Sequence, residues 1–129
     1  MSEIDIRFTW DDYRPNSYLA VQAKRLYGTG GTLAGPYVEE GVMDFIDGKY
    51  SRGHNYGIML GYVLSKPINK AISAVEDALQ KRKETTNETS SFEVGGVIEY
   101  PLTYKSVHVQ KNEEMTEIII FHAFVDLAG

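Results

Sequence analysis

The stretch KPINKAISAVEDALQKRK, residues 66–83, carries the clearest periodic pattern in this 129-residue chain. Its large apolar side chains recur three or four residues apart, and alanines widen the same stripe. They are Ile68, Ile72, Val75 and Leu79. Pro67 fits the first turn of a helix, and the basic residues 81–83 complement the dipole at its end. The pattern predicts an amphipathic helix over 66–83 with one buried face.

Strands are predicted on both sides of this helix. Residues 4–10 alternate apolar and polar side chains, which is typical of a half-buried strand. Three further strands are predicted at 92–97, 103–110 and 115–127. The last of these is apolar on both faces over 118–121, so we expect it in the centre of a sheet or at an oligomer interface.

The last two predicted strands form a hairpin. Placing Gln110 opposite Met115 gives the two strands matched faces. In this register His108 lies opposite Glu117 as a polar cross-strand pair. His122 is predicted to be a hydrogen-bonded histidine of the sheet rather than a metal ligand.

For three segments the sequence does not distinguish a helix from a strand. For residues 17–27 we favour a helix that ends at Gly28, and for residues 36–47 a short helix, with a hairpin through 47–48 as the alternative. Residues 55–64 are apolar all round. As a strand, this last segment has one bulky face and one glycine-rich face, which suits close packing against the small side.

Together these elements predict one α+β domain over residues 1–129. A mainly antiparallel sheet from the N-terminal and C-terminal strands is packed by the helix at 66–83 and by shorter helices. Nine tyrosines against one tryptophan and five phenylalanines are typical of contact surfaces, so we expect a homo-oligomer.

Composition excludes several classes of protein. A net charge of −5 argues against a duplex-DNA binder, because phosphate contacts need basic surfaces. The absence of cysteine excludes disulfides and thiolate chemistry. The first ten residues do not resemble a signal peptide, and the apolar run at 118–121 is far below the roughly 20 residues that span a bilayer. We therefore expect a cytoplasmic protein without membrane contact.

Two segments are candidate ligand-binding sites. The first is the glycine-rich loop YGTGGTLAGPY, residues 27–37, which lacks the P-loop lysine and the third glycine of a dinucleotide fingerprint but precedes a predicted helix. Its candidate residues are Tyr27, Thr29, Gly30, Gly31, Thr32 and Tyr37. The second is the basic and aromatic segment 49–56, a combination suited to phosphate, nucleobase or acidic partners. Its candidate residues are Lys49, Tyr50, Arg52, His54 and Tyr56. Since both segments flank one predicted helix, we expect them to face one pocket.

The sequence favours binding over catalysis. The three histidines lack the spacing of a metal site, no serine lies in a nucleophile motif, and no cofactor is expected. We predict a non-catalytic binding protein of the inhibitor, immunity or phage and mobile-element accessory type, acting through loops on an oligomeric scaffold. One alternative is an oligomer that sequesters a nucleotide-like anion with segments 27–37 and 49–56. Another is a small hydrolase or isomerase that uses His54 with Asp44 or Asp47.

Overall fold

The computed structural model describes residues 3–9, 18–47, 56–94, 103–111 and 115–128. The described residues contain six strands and two helical regions. The strands are β1 (Glu3–Thr9), β2 (Tyr18–Leu26), β3 (Tyr56–Val63), β4 (Glu88–Val94), β5 (Thr103–Val109) and β6 (Glu117–Asp126). The first helical region joins α1 (Ala34–Pro36), a π-helical segment (Tyr37–Val42) and α2 (Met43–Ile46), and the second is α3 (Ile68–Lys81).

All six strands form one mixed sheet in the order β1-β2-β3-β6-β5-β4. The predicted α+β class is confirmed, but the sheet is antiparallel only in part. β3 runs parallel to both β2 and β6, whereas the other neighbours are antiparallel. β6 lies between β3 and β5, as its two apolar faces predict. The parallel pairs arise because the helical regions carry the chain back between strands, and sequence patterns alone did not reveal this.

One face of the sheet holds the core. α3 spans Ile68–Lys81, close to the predicted 66–83, and buries its apolar stripe as expected. The predicted helix at 36–47 is also confirmed, although its middle is a π-helix. Both helical regions lie on the same side of the sheet, where their side chains join those of alternate strand residues. The large members of this core are Leu26, Tyr37, Phe45, Ile46, Met59, Leu79, Ile118, Ile120 and Phe124.

β2 is a strand and not the helix that we favoured for residues 17–27. The alternate residues Gln22 and Lys24 point to the helical side and are almost fully buried. Gln22 Nε2 donates a hydrogen bond to Asp44 Oδ2 at 2.8 Å, and Lys24 Nζ lies 3.7 Å from Glu40 Oε1. Polar side chains are unusual at buried strand positions, and the sequence alone does not show that their partners lie on the helical region.

The segment 55–64, for which the sequence left helix and strand open, contains the strand β3, and this strand has one small face. Gly57 lies under the ring of Phe45, and Gly61 lies under Leu26 and Phe124. The absence of side chains at the two glycines lets the core approach the backbone closely. The bulky residues of β3 consequently point away from the helices.

The hairpin of β5 and β6 forms with a register one residue away from the predicted one. His108 lies opposite Ile118 and not opposite Glu117. Met115 has a φ of 51°, and the N–H of Gln110 donates to the carbonyl of Thr116. A shift of one residue moves a side chain to the other face of the sheet, and in the observed register His108 lies in the core.

Candidate functional site

The glycine-rich loop lies at the edge of the sheet where the parallel strands β2, β3 and β6 end, which we call the carboxyl edge. The N–H of Gly28 donates to the carbonyl of Ser65 at 2.8 Å and to its Oγ at 3.1 Å. Leu64, which follows β3, donates to Leu26, and Leu127, which follows β6, donates to Val63. The carboxyl ends of parallel strands are a common location of ligand sites in open sheets.

The predicted loop residues differ in their accessibility. Thr29, Gly30 and Gly31 are exposed, and Tyr27 and Thr32 are half-buried. A methyl group at Gly30 or Gly31 would meet no atom within 4 Å, so the tip of the loop is open to solvent. Tyr27 also donates its N–H to the carbonyl of Thr32, which closes the base of the loop.

Tyr37 lies in the core, away from this open tip. Its side chain is fully buried, and its hydroxyl lies 2.8 Å from His122 Nδ1. Its ring stacks against the rings of His122 and Phe124. Tyr37 therefore has no exposed ring face on which a ligand could stack.

The basic and aromatic segment falls mostly outside the described residues. Of its five candidates, Lys49, Tyr50, Arg52 and His54 are not described, and Tyr56 begins β3. Because β3 runs parallel to β2, Tyr56 lies at the opposite edge of the sheet from Tyr27. The structure therefore does not bring these two tyrosines together. The hypothesis of a hydrolase or isomerase depends on His54 and stays a prediction.

The two described histidines belong to a buried chain of hydrogen bonds. Ser106 Oγ lies 2.8 Å from His108 Nε2 and 2.8 Å from His122 Nε2. His108 Nδ1 lies 3.0 Å from the carbonyl oxygen of Thr86, so this nitrogen must donate. Tyr37 completes the chain at the other ring nitrogen of His122.

The partners at the two ends of this chain of hydrogen bonds determine which atom donates in each bond. Because His108 Nδ1 donates to a carbonyl, its neutral ring accepts at Nε2 from the hydroxyl of Ser106. Ser106 can then accept from His122 Nε2, and His122 Nδ1 accepts from Tyr37. Every hydrogen bond in the series is donated in the direction from Tyr37 towards Thr86. Both imidazoles are neutral, and both nitrogens of each ring have a hydrogen-bond partner. The prediction that His122 is a hydrogen-bonded sheet histidine is confirmed.

Burial also keeps these imidazoles neutral. It lowers the pKa of His108 from 6.5 to about 4, against the opposing effect of its bond to Thr86. It lowers the pKa of His122 to about 3, with a further decrease from repulsion by His108. Burial also raises the pKa of Tyr37 well above 10.0. Groups so far from neutral pH, and without access to solvent, are poorly placed for acid–base catalysis.

The face of the sheet opposite the helices, which we call the open face, is apolar in its centre. Its side chains come from the strand positions that alternate with the core positions, and most are half-buried. Its apolar members are Val21, Ala23, Ile58, Leu60, Tyr62, Val107, Val109, Ile119, Phe121, Ala123 and Val125. None of them belongs to the core cluster formed with the helices. Within the described ranges, no helix or strand packs on this face.

The exposed large apolar side chains extend the open face. Tyr56 is 47% exposed at the start of β3, and its ring meets Phe121 edge-on. Leu64 and Leu127, which are 40% and 57% exposed, continue the same alternation beyond the ends of β3 and β6. Continuous exposed apolar surfaces of this kind are usually interaction sites.

The sequence contained part of the signal for the open face. The bulky face predicted for β3 and the apolar run predicted for β6 are both present. The pattern did not show that these two strands are parallel neighbours. Without that pairing, two separate apolar rows do not combine into one surface.

A shallow cavity of about 570 Å³ lies beyond the end of α3. Its lining residues are Lys83, Glu84, Asn87, Glu88, Thr89, Val109 and Met115. Burial raises the pKa of Glu88, and the ammonium of Lys83 opposes this increase. The Asn87 side chain is already engaged, since its amide donates to the carbonyl of Val109 at 3.2 Å. The cavity is wide, its lining is both polar and apolar, and no described residue of the glycine-rich loop lines it.

Among the described residues, no cluster of three or more histidine, cysteine, aspartate or glutamate side chains could hold a metal ion. No helix within those residues is long and apolar enough to cross a membrane. Comparison with known proteins finds no matching family, no matching curated protein and no matching solved structure.

Proposed function

We propose that this protein is a non-catalytic binding protein that contacts its partner through the open face of its sheet. The observation that supports this proposal is the continuous apolar surface formed by β2, β3, β6 and β5, which Tyr56, Leu64 and Leu127 extend. Strands that are parallel to their neighbours are usually covered on both faces. Here the helices cover only one face of those strands.

The chemistry of the open face also favours binding. Its described residues include no histidine. Arg25 and Glu117 lie at the ends of their strands, and Lys105 lies on β5 opposite Phe121. Lys105 and Glu93 pair with each other at 3.7 Å. Apolar and aromatic groups inside a charged rim are the usual composition of a protein-binding surface. The class predicted from the sequence, an inhibitor, immunity or accessory protein, is compatible with such a surface.

Site-specific photo-cross-linking tests this proposal. Replacing Phe121 with p-benzoylphenylalanine keeps an aromatic ring in the centre of the open face. The same replacement at Glu76, which is exposed on α3, is the matched control. We expect irradiated cells to give a discrete cross-linked product from the variant at Phe121 and none from the variant at Glu76. Products from both positions alike, or from neither, would contradict the proposal.

The second candidate is the binding of a nucleotide-like anion at the carboxyl edge. Its specific support is the position of the loop at the ends of parallel strands, with the exposed Gly30 and Gly31 ahead of the helical region that starts at Ala34. We expect protein purified gently from its host to retain one bound ligand per site. Since nucleobases absorb at about 260 nm, the retained ligand should absorb at that wavelength. Native mass spectrometry detects such a ligand as added mass. Retained mass that persists after Arg52→Ala and His54→Ala together would contradict the role of segment 49–56.

A further inference from the structure

We infer that the partner of the open face is a second copy of this chain, so that two sheets stack face to face as a symmetric dimer. This inference rests on the proposed function, because it names the partner of the same surface. In such a dimer each copy would cover the parallel strands of the other. Two sheets that pack in this way lie about 10 Å apart and share one apolar layer.

The size of the open face suits a dimer. Six strands of seven to ten residues form the sheet. With strands about 4.8 Å apart and about 3.3 Å per residue, its flat area is roughly 650 Å². The relief of the side chains increases the area that a partner can cover. Interfaces of standard size bury roughly 600–1,000 Å² on each partner, so the open face reaches the lower end of that range.

The charges of the open face are arranged for self-pairing. Arg25 lies at the carboxyl end of β2, beside Tyr62, and Glu117 lies at the amino end of β6, beside Val109. The two charged residues therefore occupy opposite corners of the apolar area. A two-fold axis in the interface, perpendicular to the line between these corners, places the Arg25 of each copy over the Glu117 of the other. A symmetric interface of this type repeats the same contact twice.

Arg25 is half-buried on the open face. Its Nε atom is buried and has no hydrogen-bond partner within the described part of the chain. Glu117 receives one long contact, from Thr89 Oγ1 at 3.4 Å. A guanidinium and a carboxylate from two copies would give each other charged partners. Charge pairs of this kind select the orientation of an interface in addition to strengthening it.

Sedimentation equilibrium of the full chain and its variants tests this inference. We expect the wild type to be a dimer at about 100 μM, well above the Kd of a typical interface of this size. Arg25→Glu places like charges over each other and should raise the dimer Kd at least about tenfold. Combining it with Glu117→Arg exchanges the two charges and should return Kd to within about threefold of the wild type. Lys81→Glu makes the same charge change on exposed α3 and should leave Kd unchanged.

Leu60→Glu provides a second test in the centre of the open face. We expect this variant to remain folded by circular dichroism and to be monomeric. A monomeric wild type at about 100 μM, or a dimer that neither Arg25→Glu nor Leu60→Glu weakens, would overturn the inference. A dimer that the charge exchange does not restore would overturn the pairing of the corners. A monomer whose Phe121 variant cross-links to another protein would overturn the dimer but leave the proposed function standing.

Discussion

At the scale of single residues, the buried His108 and His122 make the stability of this protein depend on pH. Both imidazoles are neutral because burial lowers their pKa values to about 4 and about 3. In the unfolded chain each would have a pKa near 6.5. The folded structure therefore binds fewer protons than the unfolded chain between these values.

We expect the free energy of unfolding to decrease as the pH falls below about 6.5. In this range the histidines of the unfolded chain bind protons, whereas those of the folded protein stay neutral. Their contribution is complete above that pH and is progressively lost towards the folded pKa values. The loss is about 2 kcal/mol for each histidine between about pH 7.5 and pH 5. Denaturant unfolding at both pH values measures it.

His108→Gln is the matched variant for this experiment. A glutamine side chain can still donate towards Thr86 and accept from Ser106, but it does not titrate. We expect the variant to lose about half of the dependence on pH in this range. If the free energy of unfolding of the variant depends on pH as strongly as that of the wild type, other groups cause the loss of stability.

Residue types alone gave an incomplete view of the candidate sites. Tyr37 was predicted to bind a ligand because it is an aromatic residue next to a glycine-rich loop. The helical region turns Tyr37 into the core, where it meets His122, a residue far away in the sequence. The bond between them depends on the packing of the helical region on β6. That packing cannot be deduced from local spacing.

At the scale of elements, β3 combines two different surfaces on one strand. Its glycines let Phe45, Leu26 and Phe124 approach its backbone, and its bulky residues form the middle of the open face. The sequence left helix and strand open for β3, because a short segment that is apolar all round fits both. It favoured a helix for β2, because the partners of the buried Gln22 and Lys24 come from the helical region.

We expect Gly61→Ala to destabilise the fold by about 1–3 kcal/mol, since added volume in a packed core strains its neighbours. A Cβ atom at this position would lie 2.8 Å from Leu26 Cδ1 and 2.9 Å from Phe124 Cδ1. Gly31→Ala is the control, because its Cβ atom would meet nothing within 4 Å. Thermal or denaturant unfolding compares the two. Equal stability of both variants would show that the core near β3 is packed more loosely than these distances imply.

At the scale of the whole molecule, the sheet has one covered face and one apolar face that the described chain leaves open. The general class of the fold followed from the sequence, since periodic patterns identify long elements such as α3. The order of the strands did not follow from it, because strand order depends on contacts between distant segments. The open face is a property of that order and becomes visible only when β3 and β6 are placed side by side.

The position of β6 also affects how the sheet is completed during synthesis. β1, β2 and β3 form one group of adjacent strands, and β4 and β5 form another. The two groups are joined through β6, which is made last of the six. Since a chain is produced from its N-terminus, a ribosome that has not yet released residues 117–126 holds two incomplete half-sheets with unpaired edges. Such a nascent chain depends on rapid completion, or on a chaperone, to avoid pairing with the wrong strand.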